Sequence, residues 1–504
     1  MRFRTHLIRL LFAAALACIG TVASAAEPAK GDGQPNTYQV TIDAKASRAH
    51  VVADVWQDSG VLSMFNVMPV EGLANGQADL VEDMRVTDAA GNAVALKPLG
   101  EGDFEVQGGR RLHLDYTVKL EHGQYAWPAG AEEVGYRTDE GVMLTGAALF
   151  FADGDAPYAG PIRVSFDLPK GWHARTPWTP VDATGTTFDV ASRRELTSNA
   201  LFLGTAATST FEAGGVELTL VLGKRYVPAR DRFERLLRTQ LDSYLRLFGG
   251  PPRAKRYLIV INEDPSGDGG AFASSFSLFI QGDADARNEV IWGYVMAHEL
   301  LHFWNGLTLV PKDANEEWFK EGATDYLTIA TLAQNGLIDE TLLFKRLENV
   351  PRRALIARHA QNLHMTVREA GFDKQPNRQL VYGGGSLAAL ALDVELRKRS
   401  DDRVGLPQLL QAMMREFAAP GRTYSLDDIA RIAHELTGSD FRPFLAQAVE
   451  STGDFDIRPA YAAVGLRMDS FVEEMFISRE PTAGAVERAR FDAMFAPAGA
   501  TPRR

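Results

Sequence analysis

From Thr37 the chain alternates apolar and polar residues, with Tyr38, Val40 and Ile42 on one side of the stretch Thr37 to Ala44. A period of two is the mark of a half-buried strand. Comparable runs follow at His50 to Trp56, Leu80 to Val86, Arg111 to Leu120, Val142 to Phe151, Ile162 to Leu168 and Leu201 to Leu203, and Ala89-Ala90-Gly91-Asn92 makes a good turn between two of them. Residues 37–213 are therefore predicted to form an all-β domain of sandwich type, and Val216 to Gly223 to open the next domain. There the period changes. Arg230 to Phe248 places Phe233, Leu236, Leu237, Leu241, Tyr244 and Leu245 at helical spacing and stops at Gly249-Gly250-Pro251-Pro252. Tyr257 to Asn262 reads as a short strand and Phe276 to Gln281 as an edge strand beside the helix Asn288 to Leu307, which is followed by a second helix, Glu316 to Gln334. Phe344 to Asn349, Gly384 to Lys398, Pro407 to Phe417, Leu426 to Leu436 and Phe441 to Ser451 are predicted to form a helical bundle. The expected fold is thus α+β and multidomain: a β domain over 37–213, a mixed domain over 214–337, a helical domain over 338–455 and a tail over 456–504 whose last part, Pro481 to Arg504, shows little pattern.

With 45% hydrophobic and 23% charged residues, the chain of 504 is that of a soluble globular protein. Its first residues differ. Arg2, Arg4 and Arg9 lead into the apolar run Leu10 to Val22 and the small residues Ala23-Ser24-Ala25-Ala26. This predicts a secretory signal peptide over 1–25, export across the inner membrane to the periplasm, and a flexible lead-in over 26–36. The apolar run is too short for a comfortable span, and no other long uncharged stretch follows, so the mature chain is expected to hold no transmembrane segment. Cys18, the only cysteine, lies inside the leader; Ala15 and Leu16 match a lipid-attachment signal poorly, so no lipoprotein is expected. Disulfides, thiol ligands and thiol nucleophiles are then absent from the mature chain. Without the leader's three arginines, about 50 basic residues face 65 acidic ones, which argues against nucleic acid as a partner. Oligomeric state is left open.

The richest chemistry lies in His298-Glu299-Leu300-Leu301-His302. On a helix the two histidines sit one turn apart on one face and can point at one ion. Glu299 is placed to act as a general base. Eighteen residues separate His302 from Glu321, which falls on the next predicted helix and is the candidate third ligand. Two histidines, one glutamate and an open fourth position describe a catalytic zinc, one Zn2+ per chain, rather than a closed structural site. Asp325, four residues after Glu321, is placed to receive the second N–H of a ligand histidine. Tyr382, in Val381-Tyr382-Gly383-Gly384-Gly385 at the Gly-rich start of a helix, is a candidate donor to a developing oxyanion. Glu317 and Lys320 read as solvated flanks and Asp393 with Arg397 as a surface ion pair; His113, His122, His173, His359, His364 and His434 lack ligand spacing. Trp56, Trp127, Trp172 and Trp178 read as packing residues.

Three segments carry a resemblance: His298-Glu299-Leu300-Leu301-His302-Phe303-Trp304-Asn305, Trp318-Phe319-Lys320-Glu321-Gly322-Ala323-Thr324-Asp325-Tyr326, and Val381-Tyr382-Gly383-Gly384-Gly385 running into Ala391 to Arg397. They resemble the gluzincin metallopeptidases and, within them, the glycyl-aminopeptidase family, metallopeptidase family 61. The resemblance implies a thermolysin-like catalytic domain over 214–337, zinc on His298, His302 and Glu321, Glu299 as base, Tyr382 stabilising the transition state, and a peptide or protein substrate attacked as an aminopeptidase. Two departures change the expectation. Members carry a Gly-Leu-Glu-His segment on the strand before the zinc helix, whose glutamate holds the substrate's free amine. Here Gly269-Gly270-Ala271-Phe272-Ala273-Ser274 stands there, so Gly270, Ala271 and Phe272 are the candidate substrate-binding residues, with Phe272 in place of the glutamate. Asp264 or Asp268 is the available substitute, and an endopeptidase or broader peptidase becomes the rival reading. The residues after about 455 also lack the PDZ domain common among relatives. From a different class, a zinc-containing binding or scaffold protein with little turnover is the third reading.

Overall fold

The computed structural model describes residues 31–497 except 44, 46, 66–69, 109, 128–133, 155–159, 265–268, 472 and 473. The expected leader and Asp268 lie outside the described residues. The chain is a mixed α/β multidomain protein with a β-rich N-terminal domain and a helical C-terminal region.

The alternation near the N-terminus becomes a burial pattern. In the strand Asn36–Ile42, Tyr38, Val40 and Ile42 are buried while Gln39 is exposed. This strand lies inside a seven-stranded sheet whose spatial order is Thr179–Pro180, Thr187–Val190, Ile162–Asp167, Asn36–Ile42, Arg48–Trp56, Arg111–Lys119 and Val81–Asp88. Two four-stranded sheets accompany it. Their facing side chains, among them Val51, Leu114, Tyr116, Phe150, Phe151 and Trp178, make one apolar core. The Tyr38 and Tyr116 hydroxyls donate to the carbonyls of Phe151 (2.8 Å) and Leu149 (2.9 Å), so these large rings enter the core without leaving a polar atom unanswered. The expected strand Val142 to Phe151 stops at Thr145, where Gly146 begins a helical turn. At Gly146 a Cβ would stand 1.8 Å from the Leu196 carbonyl, a closeness that forces the chain to bend away.

A five-stranded sheet follows, in the order Ala207–Ala213, Val216–Leu222, Arg256–Glu263, Ser275–Ile280, Gly269–Ala271. It starts one strand earlier than the expected boundary after residue 213. The expected edge strand at Phe276 is also an inner one: Ser275–Ile280 is buried along its whole length and the edge is Gly269–Ala271. Ser275 and Ser277 are buried together with the apolar residues of this strand. The helix Arg230–Phe248 forms as its period predicts and closes at Gly249 with φ 74°. Its buried Phe233, Leu236, Leu237, Leu241 and Tyr244 each contribute about 1.5–3 kcal/mol of hydrophobic stabilisation. Two of them also seat the helix Glu289–Leu301, which bears His298: Phe233 meets Trp292 edge-on at 4.9 Å, and the Tyr244 hydroxyl donates to the Ala297 carbonyl at 2.9 Å.

Helices Thr324–Gln334, Glu340–Leu355, Gly385–Arg399, Leu406–Phe417, Leu426–Thr437 and Arg442–Val449 pack behind this sheet and its helices. The stretch after residue 455 is more ordered than its sequence suggests. It forms the helix Arg458–Ala463, the hairpin Leu466–Phe471 with Glu474–Arg479, and the helix Ala485–Phe495. Phe491, Met494 and Phe495 of that last helix are buried, and Gln334 Nε2 donates to the Met494 carbonyl at 3.0 Å. Among the described residues no helix is long and apolar enough to cross a membrane.

Candidate metal centre and active site

His298 lies in the last turn of the helix Glu289–Leu301 and His302 caps its end. The spacing of four turns both rings to one side, with Nε2 atoms 3.0 Å apart. His302 Nδ1 stands 2.9 Å from the Asn305 carbonyl, which only accepts, so Nδ1 carries the proton and the Nε2 lone pair points inward. Glu321 arrives on a π-helical segment, Trp318–Ala323, that runs into the helix Thr324–Gln334. Such a segment inserts an extra residue per turn and redirects side chains, and here it brings Glu321 Oε2 within 3.2 Å of His302 Nε2 and 3.5 Å of His298 Nε2. The segment is fixed from two sides. Asn305 Nδ2 donates to the carbonyls of Phe319 (2.9 Å) and Lys320 (3.2 Å), tying it to the end of the histidine helix. At Gly322 it touches the helix Gly385–Arg399 backbone to backbone, since a Cβ there would stand 2.2 Å from the Gly385 carbonyl carbon.

His298, His302 and Glu321, all buried, thus form a group able to bind a metal ion, their ligand atoms within 4.8 Å of one another. Donor chemistry and spacing both fit. Ligands on a tetrahedral ion with bonds of about 2.0–2.1 Å stand roughly 3.3 Å apart, and the three separations here bracket that value. Glu321 Oε2 is buried and accepts no hydrogen bond from the described residues. The other oxygen, Oε1, is occupied by Lys374 Nζ at 2.9 Å, with Lys320 Nζ at 3.4 Å. Burial alone would raise the Glu321 pKa, but the charges of Lys374, His302 and Lys320 hold it well below the usual carboxylate range. Burial would likewise lower that of Lys374, and Glu321 keeps it well above its ordinary value.

Asp325 lies in the first turn of the helix Thr324–Gln334, four residues after Glu321. Its Oδ1 is 3.0 Å from His298 Nδ1, an ionic contact too bent to be a hydrogen bond as it stands. Tyr294 donates to Oδ1 at 2.7 Å and Arg353 to Oδ2 at 2.8 Å. Against the effect of burial, Asp325 and Glu321 hold the His298 imidazole up at about 10. Tyr382 also lies on a π-helical segment, Gln379–Gly384, continuous with the helix Gly385–Arg399 rather than in a loose lead-in to it. The glycines after it serve close packing: a Cβ on Gly383 would stand 2.6 Å from Arg353 Cβ. The Tyr382 ring lies nearly parallel to that of His298, at 6.1 Å and 24°, and Arg353 stands 5.1 Å from its centre. Burial and Glu321 push its phenol well above the usual range, so it remains a proton donor at neutral pH. Glu299 is buried on the histidine helix, and its charge reaches both Tyr382 and Tyr257.

The proposed substrate segment divides. Gly270 and Ala271 belong to the edge strand, but Phe272 is 8% exposed in an apolar cluster with Met143, Phe202, Leu258 and Phe279, so its side chain is turned into the junction with the N-terminal domain. Glu317 and Lys320 are not solvated flanks; Glu317 is 3% exposed and Lys320 Nζ pairs with it at 3.1 Å. Asp393 and Arg397 do pair, at 2.9 Å, but in the interior, where the Tyr326 hydroxyl donates to Asp393 at 2.6 Å. Helix Gly385–Arg399 is covered on nearly all sides, and a surface pair has no surface to occupy there. The sequence reading missed Tyr294, Arg353 and Lys374, which carry no motif. Asn305 could have been found, because it stands in the quoted Trp304-Asn305 pair.

Known protein families match two stretches of the chain. Residues 37–204 match the Peptidase M61 N-terminal domain and residues 293–383, which hold every site residue from His298 to Tyr382, match the M61 glycyl aminopeptidase domain. No curated protein sequence matches. A crystal structure described as an aminopeptidase N family protein from Idiomarina loihiensis superposes with a TM-score of 0.73 at 20% identity, over 87% of this chain and 79% of that one, and so shares the fold. Two domains of one peptidase family, matched in order and together spanning just over half of the chain, make this protein a member of the M61 glycyl aminopeptidase family.

Proposed function

We propose that the chain is an exported zinc peptidase that hydrolyses peptide bonds with a water activated at His298, His302 and Glu321. One observation carries the reading: three buried ligand atoms converge beside Glu299 and leave one carboxylate oxygen without a donor among the described residues. When bound there, zinc would supply a Lewis acid for the scissile carbonyl and a water acidic enough to use near neutral pH. Glu299 would serve as the general base, accepting a proton from the attacking water and returning it to the leaving amine. Tyr382, kept protonated, donates its O–H to the carbonyl oxygen as charge develops. Asp325 orients His298, and Asn305 does the same for His302 through its carbonyl. In this reading a sandwich-type β domain, a thermolysin-like catalytic unit and a helical bundle share the cleft.

The family's activity favours an aminopeptidase. Phe272, buried where relatives hold the amine with a glutamate, favours an endopeptidase or a broader specificity instead. Acetylating a peptide's N-terminus separates the two, since only an aminopeptidase loses its substrate. The primary test measures zinc content and peptide cleavage for wild type and Glu299→Gln together. The expected result is about one zinc in each and a cleavage rate lower by about 10²–10⁴ in the variant. Tyr382→Phe should keep zinc and lose about 10²–10³ in kcat. A wild type that holds zinc and cleaves nothing across a broad peptide mixture would leave a binding protein.

A further inference from the structure

Among the described residues the strand Gly269–Ala271 forms one of the two edges of its sheet, and it lies against the side of the histidine helix that faces the metal-binding group. A Cβ on Gly269 would stand 3.2 Å from Val295 Cγ1, and Val295, His298 and His302 follow one another at helical spacing. An outer strand in that place offers an extended peptide a backbone to pair with. Among the described residues it pairs with the strand Ser275–Ile280, and the turn that joins the two, residues 272–275, is gripped by the N-terminal domain. Ala273 N donates to the Ser198 carbonyl at 2.7 Å, and Ser274 N to Asn199 Oδ1 at 2.7 Å. Ser275 Oγ donates to the same oxygen at 2.9 Å and accepts from Ala200 N at 2.9 Å. Ser274 Oγ donates to Glu195 Oε1 at 2.9 Å. Asn199 Nδ2 completes the set by donating to the Glu195 carbonyl (2.9 Å) and to Glu195 Oε2 (2.8 Å).

Asn199 is wholly buried and uses both ends of its amide. Its removal would leave the Ser274 N–H and the Ser275 hydroxyl short of an acceptor inside the protein, a larger penalty than the loss of a surface bond. The apolar half of the grip is Phe272, packed with Met143, Ala200 and Phe202 from the N-terminal domain and with Val221, Leu258, Val260 and Phe279 from the sheet. The turn therefore belongs to the N-terminal domain as much as to the sheet.

We propose that the N-terminal β domain sets the position of the cleft's edge strand, with Asn199 as the positioning residue for substrate. The functional half of this rests on the peptidase reading; the grip itself does not. Two full-length, zinc-loaded variants test it, Asn199→Ala and the milder Ser274→Ala. Hydrogen exchange over residues 269–280 should quicken roughly tenfold in Asn199→Ala and less in Ser274→Ala, while residues 289–301 and zinc content stay as in wild type. KM for a six-residue peptide should rise roughly tenfold in the first variant, with kcat within about threefold. Unchanged exchange over 269–280 in both variants would overturn the grip. A loosened strand with an unchanged KM would overturn its part in binding, and loss of zinc in both variants would make Asn199 a general structural residue. If the wild type cleaves no peptide, the peptidase reading falls by itself. Equilibrium binding of the same six-residue peptide then replaces KM, with the same tenfold expectation.

Discussion

Glu321 and Asp393 are both buried carboxylates beside buried cations, on neighbouring helical segments, yet their oxygens are answered differently. Asp393 Oδ1 accepts from Arg397 Nε and from Leu406 N, each at 2.9 Å, and Oδ2 accepts from the Tyr326 hydroxyl at 2.6 Å. Nothing is left over. Glu321 receives cations on Oε1 and keeps Oε2, bare of donors among the described residues, against two imidazole nitrogens. A saturated buried ion pair is a device for holding helices together; one with an acceptor deliberately left open is a device for holding something else.

The difference should show most strongly when each carboxylate is removed. Glu321→Gln should abolish stoichiometric zinc, measured by elemental analysis after dialysis, because a carboxamide oxygen is a poor third ligand beside two imidazoles. Its fold should survive, seen as an unchanged far-UV circular dichroism spectrum. Asp393→Ala should do the reverse: about 3–5 kcal/mol of stability lost in denaturant unfolding, from an unpaired buried Arg397, with zinc per folded chain unchanged. Equal zinc loss in both variants would erase the distinction.

Two buried histidines repeat the contrast on a smaller scale. His298 lies among carboxylates that favour its charge, whereas His122, 1% exposed, has burial pushing its pKa down to about 4, its ring packed against Trp127 and its Nε2 3.1 Å from the Lys119 carbonyl. Its Nδ1 has no partner among the described residues. Folded His122 therefore resists the proton that the unfolded chain binds near pH 6.5. Between those two values the unfolded state holds more protons, so stability is complete above about 6.5, falls as pH drops, and stops falling near 4. The whole window is worth up to about 3 kcal/mol. The expected result is an unfolding free energy that declines more steeply across this window in wild type than in His122→Phe; parallel curves would refute it.

What the sequence disclosed follows from how far apart the partners lie along it. The His298 and His302 pair was legible because one helical turn sets its relation, Glu321 because a fixed gap joins two predicted helices, and Asp325 because it follows Glu321 by four residues. Lys374 was not, since it meets Glu321 from an irregular segment 53 residues away. The Asp393 and Arg397 spacing was right and their burial wrong: spacing is local, but burial depends on what covers a helix. Strand order failed for the same reason. Ser275–Ile280 has the residues of an edge strand and is covered only because the short Gly269–Ala271 turns back on it. Helix Ala485–Phe495 escaped notice because its period rests on a few residues, Phe491, Met494 and Phe495, which become apolar anchors only against the packed helices.

Lys374 decides how deep the contrast between the two carboxylates goes. As a second Arg397, its loss would cost stability and leave the metal alone. As the group that keeps Glu321 Oε1 engaged at 2.9 Å, it fixes which oxygen faces the histidines, and its loss should loosen the ligand. The second outcome is expected, because Lys320 at 3.4 Å is held by Glu317 and is poorly placed to take over. Lys374→Met should weaken zinc about 10–100-fold in competition with a chelator, and Lys374→Arg should restore part of that affinity by keeping a donor on Oε1. Unfolding of the metal-free proteins measures the structural share separately. An unchanged zinc affinity with a large loss of metal-free stability would place Lys374 with Arg397 as a helix tie, and would leave the orientation of Glu321 to its π-helical segment and Asn305 alone.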